Sequence, residues 1–428
     1  MRVSLWIFTF LLLFTLSVAP GPTMADNDDH YEALKRFSQI LDIIENSYVK
    51  PLTKKELIDN SIRGMLEQLD PHSAYLSPDD FKDMQEDTAG KFSGIGIEIT
   101  QEQGRILVVT PIEDTPAYKA GLLAGDLILE INGESTQGMT LKDAVDRIRG
   151  EKGTTVRLMI LHKDSNKPVE IPIVRGTIPI VNVKTQSLED GYLYLRLTKF
   201  QESSTRNLRE KIAEYQQQHT LKGIVFDLRN NPGGLLGQAV SVADTFIGEG
   251  TIVYMQGQEK ASRKDFYASN NENEITVPMV TLINAGSASA SEIVAGALQD
   301  HNRSLLVGER SFGKGSVQTI MPMTDGSAIK LTTALYYTPN GRSIQAKGIE
   351  PDLNIPFVAP NKDDDSQMRN RFTVREKDLS GHLENGQGSA KNKKDTDAEK
   401  AKDMLQRDNQ LRMALELVKS LPRLKEIK

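Results

Sequence analysis

Two short stretches hold the residue types from which a hydrolytic site can be built. The first is Asn284-Ala285-Gly286-Ser287-Ala288-Ser289-Ala290-Ser291-Glu292-Ile293, and the second is Phe312-Gly313-Lys314-Gly315-Ser316-Val317-Gln318. An apolar run from Pro278 to Ile283 breaks into very small residues and resumes with helix formers from Glu292 to Gln299, which reads as strand, tight turn and helix. A serine at the mouth of such a helix sits where unpaired N–H groups and the helix dipole favour negative charge, so an oxyanion formed beside it is stabilised. Gly286, Ala288 and Ala290 leave room for a peptide backbone to approach. The plainer reading of these serines is a helix N-cap and nothing more. Lys314 shifts the balance. It follows a second apolar run, Leu305 to Val307, and lies between glycines without the upstream spacing of a phosphate-binding Walker A loop. A lysine can serve a serine nucleophile as general base once burial lowers its pKa from about 10.4 toward roughly 7 to 8.

Ser-Ala-Ser-Ala-Ser-Glu-Ile, followed by Gly308-Glu309-Arg310-Ser311-Phe312-Gly313-Lys314-Gly315-Ser316-Val317-Gln318, resembles the signature of the carboxyl-terminal processing proteases, Ser/Lys peptidases related to the tail-specific protease. The resemblance runs from about residue 30 to about 357. It implies that Ser289 is the nucleophile, Lys314 the base, and Gln318 the residue that orients the lysine. It also implies that the loop Arg229-Asn230-Asn231-Pro232-Gly233-Gly234 supplies one oxyanion donor, from Gly233 or Gly234, and that Ala290 supplies the other. Neither metal nor cofactor is required by this chemistry.

Length and composition set the frame for these residues. The chain has 428 residues, a net charge of −6 and no cysteine. That length implies two or three domains. The charge argues against a nucleic-acid partner. The missing cysteines exclude disulfides, thiol catalysis, Cys-zinc sites and a lipoprotein anchor. Met1-Arg2, the uncharged apolar run Leu5 to Val18 and Thr23-Met24-Ala25 read as a secretory signal peptide over 1–25, with an uncleaved anchor as the other reading. A bacterial periplasm follows as the expected compartment.

The elements that must position the site come next. Residues 26–89 show helical periodicity through Tyr31, Leu34, Phe37, Ile40, Leu41 and Ile44 and again through Leu57, Ile58, Ile62, Met65, Leu66 and Leu69, broken at Leu69-Asp70-Pro71-His72-Ser73. These stripes must pack either on the core or, as in relatives of this family, in a dimer. His72 in its turn is read as structural rather than as a metal ligand. Residues 90–175 alternate short strands with two helices and include Gly125-Asp126-Leu127-Ile128-Leu129-Glu130-Ile131-Asn132-Gly133. That order resembles a PDZ domain, which adds an extended peptide to a sheet edge and captures its terminal carboxylate on a loop. The loop here is Gly94-Ile95-Gly96-Ile97, with Ile95 and Ile97 expected as apolar walls that favour apolar C-termini.

Residues 176–358 form the expected protease core, an α/β arrangement of strand–helix units with parallel pairing. Within it Asp227 and Arg229 read as an ion pair, and His301 as a solvent or cap residue. Residues 359–400 are dominated by Asp, Lys, Asn, Ser and Gly and read as a flexible charged linker. A helical stripe through Leu405, Leu411, Ala414, Leu415 and Val418 then makes 401–428 a C-terminal helix, either an assembly contact or a piece folded back on its own core. The expected whole is a mixed α/β protein, a serine endopeptidase acting on polypeptides chosen by their C-termini. A homo-oligomer formed through the terminal helices is expected, and the resemblance adds a periplasmic lipoprotein adaptor. A PDZ adaptor without catalysis and a hydrolase of non-peptide acyl substrates are the rival classes.

Overall fold

A computed structural model describes residues 25–358 and 393–426, apart from 103, 113, 164, 260–261 and 270–273. The signal peptide, all but its last residue, and most of the charged linker lie outside the described residues, and the polar stretch 260–274 is described only in part. The chain divides into two compact units, one of residues 1–75 with 329–331, the other of 76–328 with 332–428.

The first unit contains α1 (Ala25–Ser47) and α2 (Lys54–Glu67). Thr53 opens α2 with a reciprocal cap: its hydroxyl accepts from the Glu56 N–H at 3.2 Å, and the Glu56 carboxylate accepts the Thr53 N–H at 2.8 Å. Lys54 joins the helices through Asp42 and Glu45, at 3.0 and 3.4 Å. Much of the apolar stripe faces outward, with Tyr31 66%, Leu34 69% and Ile43 63% exposed.

In the second unit α3 (Pro78–Ala89) leads into β1 (Lys91–Gly94). The PDZ module follows as β2 (Ile97–Glu102), β3 (Arg105–Pro111), β4 (Leu127–Ile131), α4 (Leu141–Ile148), β5 (Thr155–Leu161) and β6 (Val169–Val174), and β7 (Gly176–Pro179) returns antiparallel to β1. Its antiparallel sheet runs β2-β3-β4-β5-β6, so β2 is an edge. Val156, Leu158 and Ile160 alternate inward on β5, each at 0% exposure, as a half-buried strand requires.

The core sheet has the order β8 (Val183–Glu189), β9 (Tyr192–Leu197), β10 (Gly223–Asp227), β11 (Met279–Ile283), β12 (Leu305–Gly308), followed by the short Leu353–Asn354 strand. Only β8 is antiparallel; the rest run parallel. Every residue of β10 and β11 is buried, the mark of strands covered on both faces. One cover comes from α5 (Ser204–Gln218), α6 (Leu236–Asp244) and α7 (Ala290–Asp300), which meet Ile224, Phe226, Met279 and Ile283. The other comes from the chain's end. After α8 (Lys393–Arg407), α9 (Asn409–Glu426) lays Leu411, Ala414, Leu415 and Val418 against Val225, Val280, Leu282 and Val307. Each fully buried Leu or Val stabilises by about 1.5–3 kcal/mol. Of the two readings of the C-terminal helix, the structure takes the second: its apolar stripe is spent on its own core and is not left for assembly.

Candidate active site

Parallel strands β10, β11 and β12 end side by side, and each releases a loop at its carboxyl end, the edge at which open α/β sheets bind ligands. These loops carry Gly233 and Gly234, Ser289, and Lys314 respectively. The loops that carry these residues thus leave adjacent strands of one sheet.

Ser289 sits at the N-cap of α7 with φ 56° and ψ −113°. A non-glycine residue in that region costs about 1–3 kcal/mol and survives only where its surroundings over-determine it. Two kinds of contact do so. The Glu292 and Ile293 N–H groups donate to the Ser289 carbonyl at 2.9 and 3.0 Å, and the Ser289 N–H donates to Glu292 Oε2 at 2.7 Å. The preceding turn is fixed as tightly: Ser287 Oγ donates to Leu228 O at 2.8 Å, and the Gly286 N–H donates to Asn284 Oδ1 at 3.0 Å. A sharp, strained strand-to-helix turn of this kind projects the serine from the sheet's end.

Glu292 is the residue that the sequence reading missed. It is 0% exposed, and its carboxylate takes four donors. Oε2 accepts the N–H groups of Ser289 and Lys314, at 2.7 and 2.9 Å, while Oε1 accepts the Gly313 N–H at 2.7 Å and the Ser311 hydroxyl at 2.6 Å. One oxygen thus binds the backbones of both expected catalytic residues. Burial pushes the Glu292 carboxyl above its ordinary value, and the Ser311 hydroxyl and the three N–H donors offset part of that rise. The available signal was the Ser289-x-x-Glu292 spacing, which is that of a capping box.

Lys314 is half-buried on a loop whose glycines are required by crowding. Gly313 has φ 94°, and its carbonyl accepts the Ala346 N–H at 2.8 Å. A Cβ on Gly315 would lie 2.4 Å from Gln345 N. The Phe312 N–H donates to Ser287 O at 3.0 Å, a second bond between the lysine loop and the serine turn. Gln318 lies on β13 (Ser316–Pro322), where alternation sets it on the same face as Ser316. Its side-chain amide donates to Ser316 Oγ at 2.8 Å.

The two loop glycines differ. Gly233, at φ 100°, lies directly on the serine turn, where an added Cβ would stand 2.7 Å from Ala288 O and 2.9 Å from Ser289 Cβ. Its N–H donates to Asn231 Oδ1 at 2.9 Å. Gly234, at φ 142°, abuts Phe200, whose carbonyl oxygen would be 2.1 Å from a Cβ there. Asp227 and Arg229 form the expected ion pair, at 2.8 Å, and both are buried. His301 caps α7, with its Nε2 2.7 Å from Thr251 O.

In the PDZ module, Gly94 pairs with Gly176 and Gly96 has φ 81°, with Thr115 so close that a Cβ would lie 2.3 Å from it. Ile95 departs from its expected role as a wall. It is 1% exposed within the module's core, and its carbonyl accepts the Ala117 N–H at 2.8 Å. Ile97 is partly exposed at the start of edge strand β2 and packs in part against the same core. No helix among the described residues is long and apolar enough to cross a membrane.

A model of Peptidase family S41 matches residues 191–355, a PDZ domain model matches 107–161, and a model for the N-terminal domain of the activating protease CtpB matches 19–80. Together with the fold, these define a serine peptidase that carries a PDZ domain. The carboxy-terminal-processing protease of Bartonella bacilliformis is 45% identical over 385 residues, 89% of this chain and 88% of that one. The carboxy-terminal processing protease CtpA of Bacillus subtilis is 36% identical, over 81% of this chain and 73% of that one. The structure of a photosystem II D1 C-terminal processing protease shares 30% identity and covers 75% of this chain and 92% of that one, with a TM-score of 0.44. The chain belongs to the carboxy-terminal-processing protease family.

Proposed function

We propose that the protein is a Ser/Lys endopeptidase in which neutral Lys314 removes the proton from the Ser289 hydroxyl as it attacks a peptide carbonyl. The tetrahedral oxyanion is held by the Ala290 N–H and by the 233–234 loop. Gly233 already donates its N–H to Asn231, which favours Gly234 as the loop's donor. Collapse expels the amine, which takes the proton from Lys314, and water then resolves the acyl-enzyme by the reverse use of the same lysine. Gln318 orients Lys314 from the neighbouring strand. The observation that carries this reading is the single oxygen, Glu292 Oε2, that binds the backbones of Ser289 and Lys314 together.

Substrate selection is assigned to the PDZ module. An extended polypeptide tail adds to edge strand β2, its carboxylate meets the Gly94-Ile95-Gly96-Ile97 loop, and Ile97 favours an apolar last residue. The natural setting is the periplasm, in protein processing or degradation, after removal of residues 1–25, with a lipoprotein adaptor as a further partner. A second copy of the chain meets the outward-facing apolar residues of α1 and α2.

The test is incubation of wild type, Ser289→Ala and Lys314→Ala with an unfolded protein, with and without a peptide that ends in an apolar residue. Fragments from wild type alone agree with the proposal. Peptide binding without fragments from any of the three, adaptor supplied, points instead to a non-catalytic PDZ adaptor.

A further inference from the structure

We propose that Asp408 and Gln410, at the start of the C-terminal helix α9, are positioning residues that hold the oxyanion loop through Arg229. The inference rests on the reading of Ser289 as nucleophile and of the 233–234 loop as oxyanion donor. Arg229 is the residue at which that loop leaves β10, and its guanidinium is 8% exposed. One edge of the guanidinium is held by Asp227: Nε donates to Oδ1 at 3.0 Å, Nη2 donates to Oδ2 at 2.8 Å, and the Arg229 N–H adds a bond to Oδ1 at 2.8 Å. The Tyr194 hydroxyl donates to the same Asp227 Oδ2 at 2.7 Å. The other edge belongs to the C-terminal segment. Nη1 and Nη2 reach the two oxygens of Asp408 at 3.1 and 2.6 Å, and Nη1 also donates to Gln410 Oε1 at 2.8 Å.

A bidentate Arg–carboxylate pair fixes direction as well as distance, which a lysine or a neutral amide does not reproduce. Asp408 is itself anchored, since its Oδ1 caps α9 by accepting the Leu411 N–H at 2.9 Å, and Gln410 Nε2 donates to Ile355 O at 2.7 Å. From Arg229 the loop passes into direct contact with the serine turn. Asn230 and Asn284 exchange bonds at 2.9 and 3.0 Å, and the Asn231 carbonyl accepts the Ala288 N–H at 3.0 Å and Ser291 Oγ at 2.8 Å. The C-terminal helix thereby reaches the turn that carries Ser289 through one buried guanidinium.

The experiment compares full-length wild type, Asp408→Asn, Gln410→Ala, Arg229→Lys and the double variant Asp408→Asn/Arg229→Lys. Lys419→Gln serves as a control, because it breaks only the surface pairs of α9 with Glu189 and Glu416. The readouts are the rate at which a fluorophosphonate labels Ser289, the kcat and KM for a peptide that lacks a PDZ-binding end, and the melting temperature. A slightly misplaced oxyanion donor is expected to lower kcat and the labelling rate about tenfold to a hundredfold in Asp408→Asn, with KM within about twofold. The double variant is expected to lose no more than the worse single one, and Lys419→Gln to keep wild-type kcat whatever its melting temperature. Asp408→Asn with wild-type kcat and labelling overturns the strap and leaves the Ser289 reading intact. Failure of wild type to label at Ser289 overturns both.

Discussion

Glu292→Gln isolates the link between the two segments proposed as catalytic. Glutamine keeps one acceptor oxygen and replaces the other by an NH2 donor. If the nitrogen takes the place of Oε2, the N–H groups of Ser289 and Lys314 both face a donor. If it takes the place of Oε1, only the Gly313 N–H is orphaned, because the Ser311 hydroxyl can turn and accept. A buried donor without a partner costs about 1–3 kcal/mol, so the second arrangement wins and the variant is destabilised by about 1–3 kcal/mol. Glu292→Ala orphans all three N–H donors at once, even if the Ser311 hydroxyl turns elsewhere, and costs about 3–9 kcal/mol, comparable to the whole stability of a domain. Ser289→Ala keeps the backbone N–H and the Glu292 bond, and is expected to unfold with wild type. The assays are urea unfolding followed by circular dichroism, and the rate of fluorophosphonate labelling at Ser289. Glu292→Gln is expected to lower the unfolding midpoint and to slow labelling by about tenfold to a hundredfold, as a displaced base does. A variant with wild-type midpoint and wild-type labelling refutes the idea that this carboxylate holds serine and lysine together.

Four further outcomes follow from single positions. Gly234→Ala sets a Cβ 2.1 Å from the Phe200 carbonyl oxygen at φ 142°, so it is expected to lose activity and more than about 2 kcal/mol of stability, read by fragment yield and urea midpoint. Gly315→Ala pushes the lysine loop away from the Gln345 backbone 2.4 Å off, and is expected to lower kcat while peptide binding to the PDZ module, measured by fluorescence anisotropy, is unchanged. Gly96→Ala is expected to do the reverse, since its clash with Thr115 lies in the loop proposed to hold the tail's carboxylate: tail binding weakens, and cleavage of a peptide without a PDZ-binding end is kept. Burial pushes the Tyr336 phenol up to about 12, so the folded state holds its proton more tightly than the unfolded state does. That contribution is complete below about pH 10 and disappears as pH rises through 12; over this window wild type is expected to lose about 3 kcal/mol relative to Tyr336→Phe, measured by unfolding at stepped pH.

The two stretches proposed as catalytic stand out in the sequence because their signal is local: small residues crowd one serine, glycines flank one lysine, and apolar runs precede both. The two inferences that erred, or stopped short, needed information of another kind. Ile95 and Ile97 were both given to a peptide-binding loop by the PDZ resemblance, yet Ile97 begins a strand and Ile95 just before it is buried in the module's core. Glu292 read as an ordinary helix former because its partners lie on a loop that returns only after a further strand. For the C-terminal helix, the sequence held more than was drawn from it. Gly223 to Asp227 and Met279 to Ile283 show no polar alternation, so both faces of those strands had to be covered. Three helices between the strands cover one face, and the stripe Leu411, Ala414, Leu415 and Val418 was a candidate cover for the second, beside the stripes of 26–89. Unalternating strands therefore demand an amphipathic partner from elsewhere in the chain, and that demand favours folding back over assembly. It does not foretell Asp408, because a carboxylate that meets one arginine 179 residues earlier in the chain leaves no period in the sequence.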